Sequence, residues 1–336
     1  MTTSNAPQRH SDRYHGQQAL FIINPVAGGL PPRDRLDRAI DAAAAEFGLD
    51  VLIEQTATPG HATTLAAQAE ADGVPLCFVV GGDGTFNEAF NGLTTTDLTL
   101  GLIPAGTANV WAKEAAIPRR PLAALRAQLA AGPIEIDCGR AGGPAESRRF
   151  LLMASYGLDA AAIAAVAAAD PRWKRRFGRL TYLVGGLRTG FRYPGFEIEI
   201  AFDDAAPVPL ASRMLVIGNT RSYGGLAAIT SQASAVDGRL DCVGLRGRGV
   251  GRSLAAIPQV LFQRHLRAGN VLFQRAQRIR LFSDAPLPPM QIDGDAIATS
   301  AAELSIEPAA LRLFVPGSAA PVFQPLDPTG GSEPSG

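Results

Sequence analysis

The sequence predicts an α/β domain with a doubly wound parallel sheet, followed by a β-rich domain. Strand-length apolar runs alternate with helical patterns from residue 19 to residue 131. Shorter alternating runs, separated by Gly, Pro and Asp turns, follow residue 137. With 336 residues, of which 46% are hydrophobic, the chain is long enough for two domains with their own cores.

Composition excludes several classes of protein. Lys+Arg and Asp+Glu balance at 31 each, so the overall charge gives no reason to expect nucleic-acid binding. The 3 cysteines are widely spaced and odd in number, which argues against a disulfide framework or a cysteine metal site. Residues 1–18 are too polar for a signal peptide, and the apolar stretch 151–169 is interrupted by polar residues. A cytoplasmic protein is expected.

The first domain shows the alternation element by element. Helical spacing of apolar residues predicts helices at 33–47 and 61–71, and a further alanine-rich helix at 121–131. A shorter helix is predicted to end at Glu114. The expected strands are four apolar runs, at 19–23, 51–53, 75–80 and 99–104.

Three turn-rich loops follow strands of this domain, at 24–29, 81–85 and 104–109. Because parallel strands end at one edge of a sheet, these loops should lie together there, where such folds bind ligands. The loop 81–85 is Gly-Gly-Asp-Gly-Thr, and glycine lets backbone N–H groups approach a phosphate. Asp83 would repel a phosphate, so it is expected to hold Mg²⁺ or to organise water and basic groups. The alternative is an ordinary strand–turn–helix corner, with the helix at 86–93.

The second domain is predicted to be a sandwich or a long meander. A helical interlude is expected at about 158–192, and residues 1–17 and 318–336 are expected to be a disordered leader and tail. The predicted strands are alternating runs at 196–202, 214–217, 240–243, 278–281 and 289–292.

Five segments together form a specific set of motifs: 81–88, 91–93, 101–109, Asp237-Gly238-Arg239-Leu240-Asp241 and Asp293-Gly294-Asp295. With them the sequence resembles the diacylglycerol kinase catalytic-domain family, over residues 18–316. That family includes bacterial lipid kinases and, more distantly, sphingosine and ceramide kinases. NAD kinases share the Gly-Gly-Asp-Gly-Thr core, and the two later motifs favour the lipid-kinase branch.

The resemblance implies an NAD-kinase-like, ATP-binding domain at 18–138 and a β-rich domain at 139–300 that forms the lipid side of a cleft. It also implies that residues 301–317 return to the first domain.

Nucleotide contacts are implied for the residues that match the family's loops. Ala27 stands where the family has serine, which removes a hydroxyl worth about 1–2 kcal/mol at a charged acceptor. Val110 stands where the family often has Asp. The implied nucleotide-binding residues are Asn24, Pro25, Val26, Ala27, Gly28, Thr56, Gly81, Gly82, Asp83, Gly84, Thr85, Phe86, Asn87, Gly106 and Thr107.

A structural Mg²⁺ site is implied at Ser234, Asp237 and Arg239, with Asp237 as the side-chain ligand and the other two contributing mainly backbone carbonyls. One carboxylate with carbonyls and waters suits Mg²⁺. The alternative is that Asp237-Gly238 is a hairpin turn without a metal.

The catalytic residues implied by the resemblance are Asp83, Asp293 and Asp295. Asp293-Gly294-Asp295 matches the family's Asp-Gly-Glu, in which a carboxylate takes the proton of the lipid hydroxyl. Asp295 is one methylene shorter than Glu, so the base is either Asp295 or Asp293. Asp137 is a candidate for the same acidic network, or else the solvated end of a strand.

Cationic and aromatic residues alternate at 172–193, which suits a surface that contacts a membrane, although a solvated helix face is equally consistent. The residues concerned are Arg172, Trp173, Lys174, Arg175, Arg176, Phe177, Arg179, Tyr182, Arg188, Phe191, Arg192 and Tyr193.

The predicted function is phosphorylation of a hydroxyl of diacylglycerol or a related lipid by ATP, with Mg²⁺. The protein would be cytoplasmic and peripheral to the inner face of the membrane. Two alternatives stay open: a kinase for a soluble acceptor such as NAD, and a catalytically weak nucleotide- or lipid-binding protein. The sequence indicates neither the acceptor lipid nor an oligomeric state.

Overall fold

The computed structural model describes residues 13–142, 147–167, 193–223, 227–249, 251, 269–318 and 320–324. The chain divides into two compact units. The first unit contains residues 1–136 and 309–320, and the second contains residues 137–308 and 321–336. The chain therefore returns to the first unit at residue 309, later than the 301 expected from the sequence.

The first unit is a parallel sheet with helices, which confirms the predicted α/β class. Its strands are ordered β2-β1-β3-β4-β17. The strands are β1 (Gln18–Ile23), β2 (Asp50–Gln55), β3 (Leu76–Gly81), β4 (Thr99–Pro104) and the end of β17 (Glu303–Phe314). The helices are α1 (Arg33–Phe47), α2 (His61–Ala71), α3 (Asp83–Asn91), α4 (Val110–Glu114) and α5 (Pro121–Ala131).

Aromatic stacking holds the core of this unit across its central strands. Phe78 on β3 stacks on Phe21 of β1, with 5.3 Å between ring centroids, and on Phe314 of β17, with 5.4 Å. Tyr14 packs edge-on against Phe314 at 5.9 Å and is buried. The prediction of a disordered leader through residue 17 is therefore wrong for its last residues, because Tyr14 contributes an aromatic ring to the core.

The second unit is β-rich, as predicted. Its strands are ordered β16-β15-β7-β9-β8-β14-β17, and each neighbouring pair is antiparallel. The elements are β5 (Pro133–Gly142), β6 (Ser147–Phe150), β7 (Met153–Gly157), α6 (Leu158–Ala167), β8 (Phe196–Phe202), β9 (Val208–Gly218), β10 (Ser222–Tyr223), β11 (Ala227–Ala228), β12 (Leu240–Arg246), β13 (Val271–Ala276), β14 (Arg278–Phe282), β15 (Met290–Ile292) and β16 (Asp295–Ile297).

Side-chain alternation places the core on one face of this sheet. On β8, Phe196, Ile198 and Ile200 are buried, whereas Glu197 and Glu199 are exposed. β12 extends the arrangement by pairing with both β9 and β13. The pairing of β7 with β9 and with β15 brings together residues that are far apart in the sequence.

The helical interlude predicted at about 158–192 begins with α6, which is described to Ala167. The rest of it, with the cationic and aromatic residues from Arg172 to Arg192, lies outside the described residues, and only Tyr193 of that set lies within them. Within the described ranges, no helix combines the length and hydropathy needed to cross a bilayer.

Candidate active site

Three loops of the first unit meet at one edge of its parallel sheet. The backbone N–H of Asn24, just after β1, donates to the carbonyl of Val80 on β3 at 2.9 Å. The N–H of Ala105, just after β4, donates to the carbonyl of Gly81 at 2.7 Å. Thr56, at the end of β2, donates to the carbonyl of Ile23 at 2.9 Å. The loops at 24–29, 81–85 and 104–109 therefore lie together, as expected at the carboxyl ends of parallel strands.

The side chain of Asn24 joins the first loop to the second. Its Oδ1 accepts from the N–H of Val26 at 3.0 Å, which closes a tight turn. Its Nδ2 donates to Oγ1 of Thr85 at 2.9 Å. One amide thus holds the turn after β1 against the first turn of α3.

Two glycines allow the second and third loops to touch. A Cβ on Gly82 would lie 3.0 Å from the Cα of Gly106, closer than atoms of this kind normally approach. Asn109 braces the third loop, because its Nδ2 donates to the Gly106 carbonyl at 2.7 Å and its Oδ1 accepts from the Gly106 N–H at 2.9 Å. Asn109 belongs to the motif at 101–109 but is not among the residues implied to bind nucleotide, and Thr107 is exposed beside it.

Helix α3 begins at Asp83, three residues earlier than the sequence pattern predicted. Gly82 is its extended N-cap residue, and the Gly82 carbonyl accepts from the N–H of Phe86 at 3.1 Å. Asp83, Gly84 and Thr85 therefore form the first helical turn, whose N–H groups have no earlier carbonyl in the helix to bond. Such a helix terminus favours an anion.

The carboxylate of Asp83 also connects α3 to α4. Its Oδ1 accepts from the N–H of Trp111 at 3.1 Å. Trp111 is buried and stacks on Phe86, with 6.2 Å between the ring centroids. The hydrogen bond from Trp111 holds the Asp83 carboxylate at the loop edge. The rings of Trp111 and Phe86 pack in the core below that carboxylate.

Phe86 and Asn87, which the family resemblance also implies in nucleotide binding, have buried side chains. Phe86 is 2% exposed and packs against Trp111 and Phe90. Asn87 is also buried, and it accepts from the side chain of Asn91. Both residues follow the first turn of α3 and their side chains face the core, where they support the helix, so a nucleotide contact at these two positions would have to use the main chain.

An acidic turn in the second unit joins β15 to β16. Asp293 and Gly294 are its two central residues, with φ of 49° and 94°, which is the left-handed region that glycine tolerates best. The carboxylate of Asp293 accepts three backbone N–H groups, from Leu151 at 2.8 Å and from Leu152 and Met153 at 2.9 Å. Asp293 therefore holds the turn at 293–294 against the backbone of residues 151–153.

Asp295 differs from Asp293 in exposure and in partner. Its side chain is 56% exposed and forms an ion pair with Arg148, 2.6 Å between Nη2 and Oδ2. Arg148 could not be predicted as a site residue, because no sequence motif near residue 148 links it to the turn at 293–295. The geometry thus separates the two acids that sequence reasoning could not rank.

The residues of the implied Mg²⁺ site are engaged in other contacts. Oδ1 of Asp237 accepts from the N–H of Arg239 at 3.0 Å, and its Oδ2 is paired with Arg275. Nε of Arg275 also lies 3.2 Å from Oδ1 of Asp241. Ser234 is buried and donates its hydroxyl to the carbonyl of Gln324 at 2.8 Å.

This arrangement does not fit Mg²⁺ at Asp237, because the Arg275 guanidinium already lies against that carboxylate and offsets its charge. Among the described residues, no group of three or more His, Cys, Asp and Glu could hold a metal ion. Asp137 is buried and its carboxylate accepts from the N–H of Gly238 at 2.6 Å. Asp137 therefore caps the 237–238 turn and is not a solvated strand end.

Burial raises the pKa values of the two carboxyls that face Arg275, those of Asp237 and Asp241. It raises the pKa of Asp241 to about 7, although the Arg275 guanidinium acts in the opposite direction. Burial also raises the pKa of Asp237 above its ordinary value, again against the effect of Arg275. These carboxyls are parts of a structural ion pair, apart from the acidic turn at 293–295.

Each of the two units matches a known family model over most of its length. Residues 18–141 match the diacylglycerol kinase catalytic domain, and residues 153–315 match the YegS C-terminal NAD kinase beta sandwich-like domain. A diacylglycerol kinase of Mycobacterium tuberculosis is 30% identical over 307 residues, which cover 90% of this chain and 97% of that protein. This chain belongs to the diacylglycerol kinase catalytic-domain family. It is a lipid kinase by family, a phosphotransferase with an alcohol group as acceptor.

Two further similarities cover almost the whole chain. A probable YegS-like lipid kinase of Pseudomonas putida is 32% identical over 311 residues, 90% of this chain and 96% of that protein. The crystal structure of a diacylglycerol kinase from Bacillus anthracis superposes with a TM-score of 0.68 at 20% identity, covering 89% of this chain and 97% of that one. The structural likeness supports the shared fold.

The two residues that depart from the diacylglycerol kinase family pattern, Ala27 and Val110, both pack into the protein interior at least in part. Ala27 is partly buried and its methyl group packs against the core of the first unit. Val110 is 6% exposed at the start of α4. An acid at position 110 would be buried here and would need a partner to offset its desolvation, which accounts for an apolar residue at this position.

Proposed function

We propose that this protein uses ATP, accompanied by Mg²⁺, to phosphorylate a hydroxyl of diacylglycerol or a related lipid. The observation that carries the proposal is the meeting of three loops around the start of α3 in the first unit. The acceptor class is suggested by relatives named diacylglycerol kinase and lipid kinase. The protein would work at the inner face of the membrane as a peripheral, cytoplasmic enzyme.

On the nucleotide side, backbone N–H groups are proposed to bind the phosphates. The first turn of α3 offers them at Gly84 and Thr85, and the turn at 24–28 lies beside it. Gly82 and Gly106 keep both loops free of side-chain bulk, so a phosphate can approach the backbone. The missing hydroxyl at Ala27 leaves this backbone cradle unchanged.

Asp83 is the proposed residue for the metal that accompanies ATP. It is partly exposed at the start of α3, and its orientation is held by the Trp111 N–H. A hard carboxylate oxygen beside the phosphate-binding N–H groups suits Mg²⁺. The bound ion would neutralise charge on the phosphates during transfer.

On the acceptor side, Asp295 is the proposed general base. Its side chain is 56% exposed although it is paired with Arg148, whereas the carboxylate of Asp293 is occupied by three backbone N–H groups. Asp295 would take the proton of the lipid hydroxyl as the oxygen bonds to phosphorus, and Asp293 would hold the turn.

The test offers radiolabelled ATP with Mg²⁺ to the purified protein and a panel of diacylglycerol, ceramide, sphingosine and NAD. We expect a labelled lipid from the wild type and none from Asp83→Ala. Labelled NAD phosphate without labelled lipid would replace the proposal with a soluble-acceptor kinase. Nucleotide binding without turnover on the whole panel would indicate a binding protein instead.

A further inference from the structure

A buried polar network lies beside the acidic turn in the second unit. Ser155 on β7 and Gln291 on β15 face each other across paired strands, and they are 0% and 2% exposed. Asp159, in the first turn of α6, is buried as well. Its Oδ2 accepts from the hydroxyl of Ser155 and from that of Tyr223, the latter at 2.9 Å.

Donor and acceptor chemistry gives this network one direction. Oδ2 of Asp159 is the acceptor of both hydroxyls, so the single hydrogen of the Ser155 hydroxyl is donated to Asp159. Oγ of Ser155 is then an acceptor, and Nε2 of Gln291 donates to it at 2.6 Å. The amide of Gln291 must therefore direct its nitrogen toward Ser155 and its oxygen away.

The free end of that amide reaches the turn. Oε1 of Gln291 accepts from the backbone N–H of Gly294 at 2.7 Å. Gly294 has φ of 94° and immediately precedes Asp295. If the amide were reversed, its NH₂ would face the Gly294 N–H, two donors in contact. The orientation of Gln291 therefore supports the backbone that carries Asp295.

We propose that Asp159 is a positioning residue for Asp295, acting through Ser155, Gln291 and the Gly294 N–H. The proposal rests on the proposed function, in which Asp295 is the base. Burial raises the pKa of Asp159, and the hydrogen bonds from Ser155 and Tyr223 oppose that rise by stabilising the charged form. A buried network with one direction rigidifies the segment to which it is attached.

The first test removes the last link with Gln291→Met, which has similar length and no amide. Hydrogen exchange of the Gly294 amide, followed by NMR on the full chain, should become about tenfold faster as its acceptor is lost. With the lipid acceptor, kcat should fall about tenfold while the KM for ATP stays within about twofold, because only the base is displaced. Unchanged exchange and unchanged kcat would overturn the proposal.

The second test asks whether Asp159 sets the direction. Gln291→Glu places a second carboxylate against Asp159, and kcat should fall at least about tenfold. Adding Asp159→Asn moves the carboxylate to position 291 and reverses two links: the Asn amide donates to Ser155, and Ser155 donates to the carboxylate at 291, which still accepts from the Gly294 N–H. That double variant should regain most of the lost kcat and of the Gly294 protection.

The matched control adds Tyr223→Phe to Gln291→Glu. It removes the other hydroxyl on Oδ2 of Asp159 and leaves both charges in place, so it should restore nothing. Equal recovery in the two double variants, or recovery in neither, would overturn the role of Asp159. The exchange measurement does not depend on turnover, so a wild type without lipid kinase activity would reject the proposed function separately.

Discussion

The loop edge of the first unit and the acidic turn of the second are held by different kinds of contact. At the loop edge, backbone groups and small residues dominate, as in the Gly29 N–H to Ala105 carbonyl bond at 2.7 Å. At the turn, side chains from distant segments hold the backbone: Asp293 binds three N–H groups and Gln291 binds a fourth. The first region depends on the absence of side-chain bulk, the second on particular side chains.

The difference explains where substitutions should act. A change at a glycine of the loop edge should disturb ligand approach more than folding, since the groups proposed to bind phosphate there are main-chain N–H groups. A change at the turn can disturb folding, chemistry or both, depending on which carboxylate it removes. Five experiments follow: those at Asp295, Asp293 and Gly82 can contradict or refine this contrast, and two at Arg275 test the separate ion pair with Asp237 and Asp241.

The largest effect is expected from Asp295→Asn. It keeps the shape of the side chain and removes the proposed base, so kcat should fall about 1,000-fold with the KM for ATP almost unchanged. Steady-state assays with labelled ATP and lipid measure both constants. Asp284→Asn, at an exposed carboxylate of the same unit, should keep wild-type kcat. Retained activity in Asp295→Asn would show that the base is elsewhere.

Next in size is the effect of Arg275→Met on stability. Asp241 is 1% exposed and would lose its cation, so the free energy of unfolding should fall by about 4 kcal/mol in urea titrations. Arg278→Met, whose partner Asp204 is 92% exposed, should cost less than about 1 kcal/mol.

The wild type and Arg275→Met together also test whether Asp237 fails to bind Mg²⁺. Without nucleotide, added Mg²⁺ should leave the unfolding temperature of the wild type unchanged and raise that of Arg275→Met, because the ion can then replace the guanidinium. A wild type stabilised by Mg²⁺, with the stabilisation abolished by Asp237→Asn, would restore the site expected from the sequence.

A smaller loss of stability is expected from Asp293→Ala. The substitution leaves the N–H groups of residues 151–153 without their acceptor, so unfolding should become about 3 kcal/mol easier. Asp295→Ala, in the same turn, removes only a half-exposed ion pair and should change stability by less than about 1 kcal/mol. Equal losses in the two variants would remove the distinction between the holding acid and the reacting acid.

The smallest effect is expected at the loop edge, from Gly82→Ala. Its Cβ would press on the Cα of Gly106, so the KM for ATP should rise about tenfold, while kcat at saturating ATP stays close to wild type. Gly269→Ala, where the added Cβ meets nothing within 4 Å, is the control for glycine substitution itself. An unchanged KM for ATP would mean that nucleotide does not need this close approach.

Much of the first unit could be predicted because its signals are local. Helices α1 and α2 match their predicted ranges, since apolar spacing and a following glycine or polar turn mark their ends. The start of α3 was misplaced because glycines resemble a loop in sequence. Here Gly82 is the N-cap residue and Gly84 lies inside the first turn.

Local pattern was sufficient for the alternation of strands and helices and for the three loops at one sheet edge, since each depends on residues a few positions apart. The acids at 293–295 were identified through their match to the family's motif. The partners of the carboxylates depend on folding. Leu151 and Asp293 are 142 residues apart and Arg275 and Asp237 are 38 apart, yet each pair is in contact. Only the folded chain could therefore separate Asp293 from Asp295 and place a guanidinium beside Asp237, because hydrogen bonds and ion pairs follow distance in space.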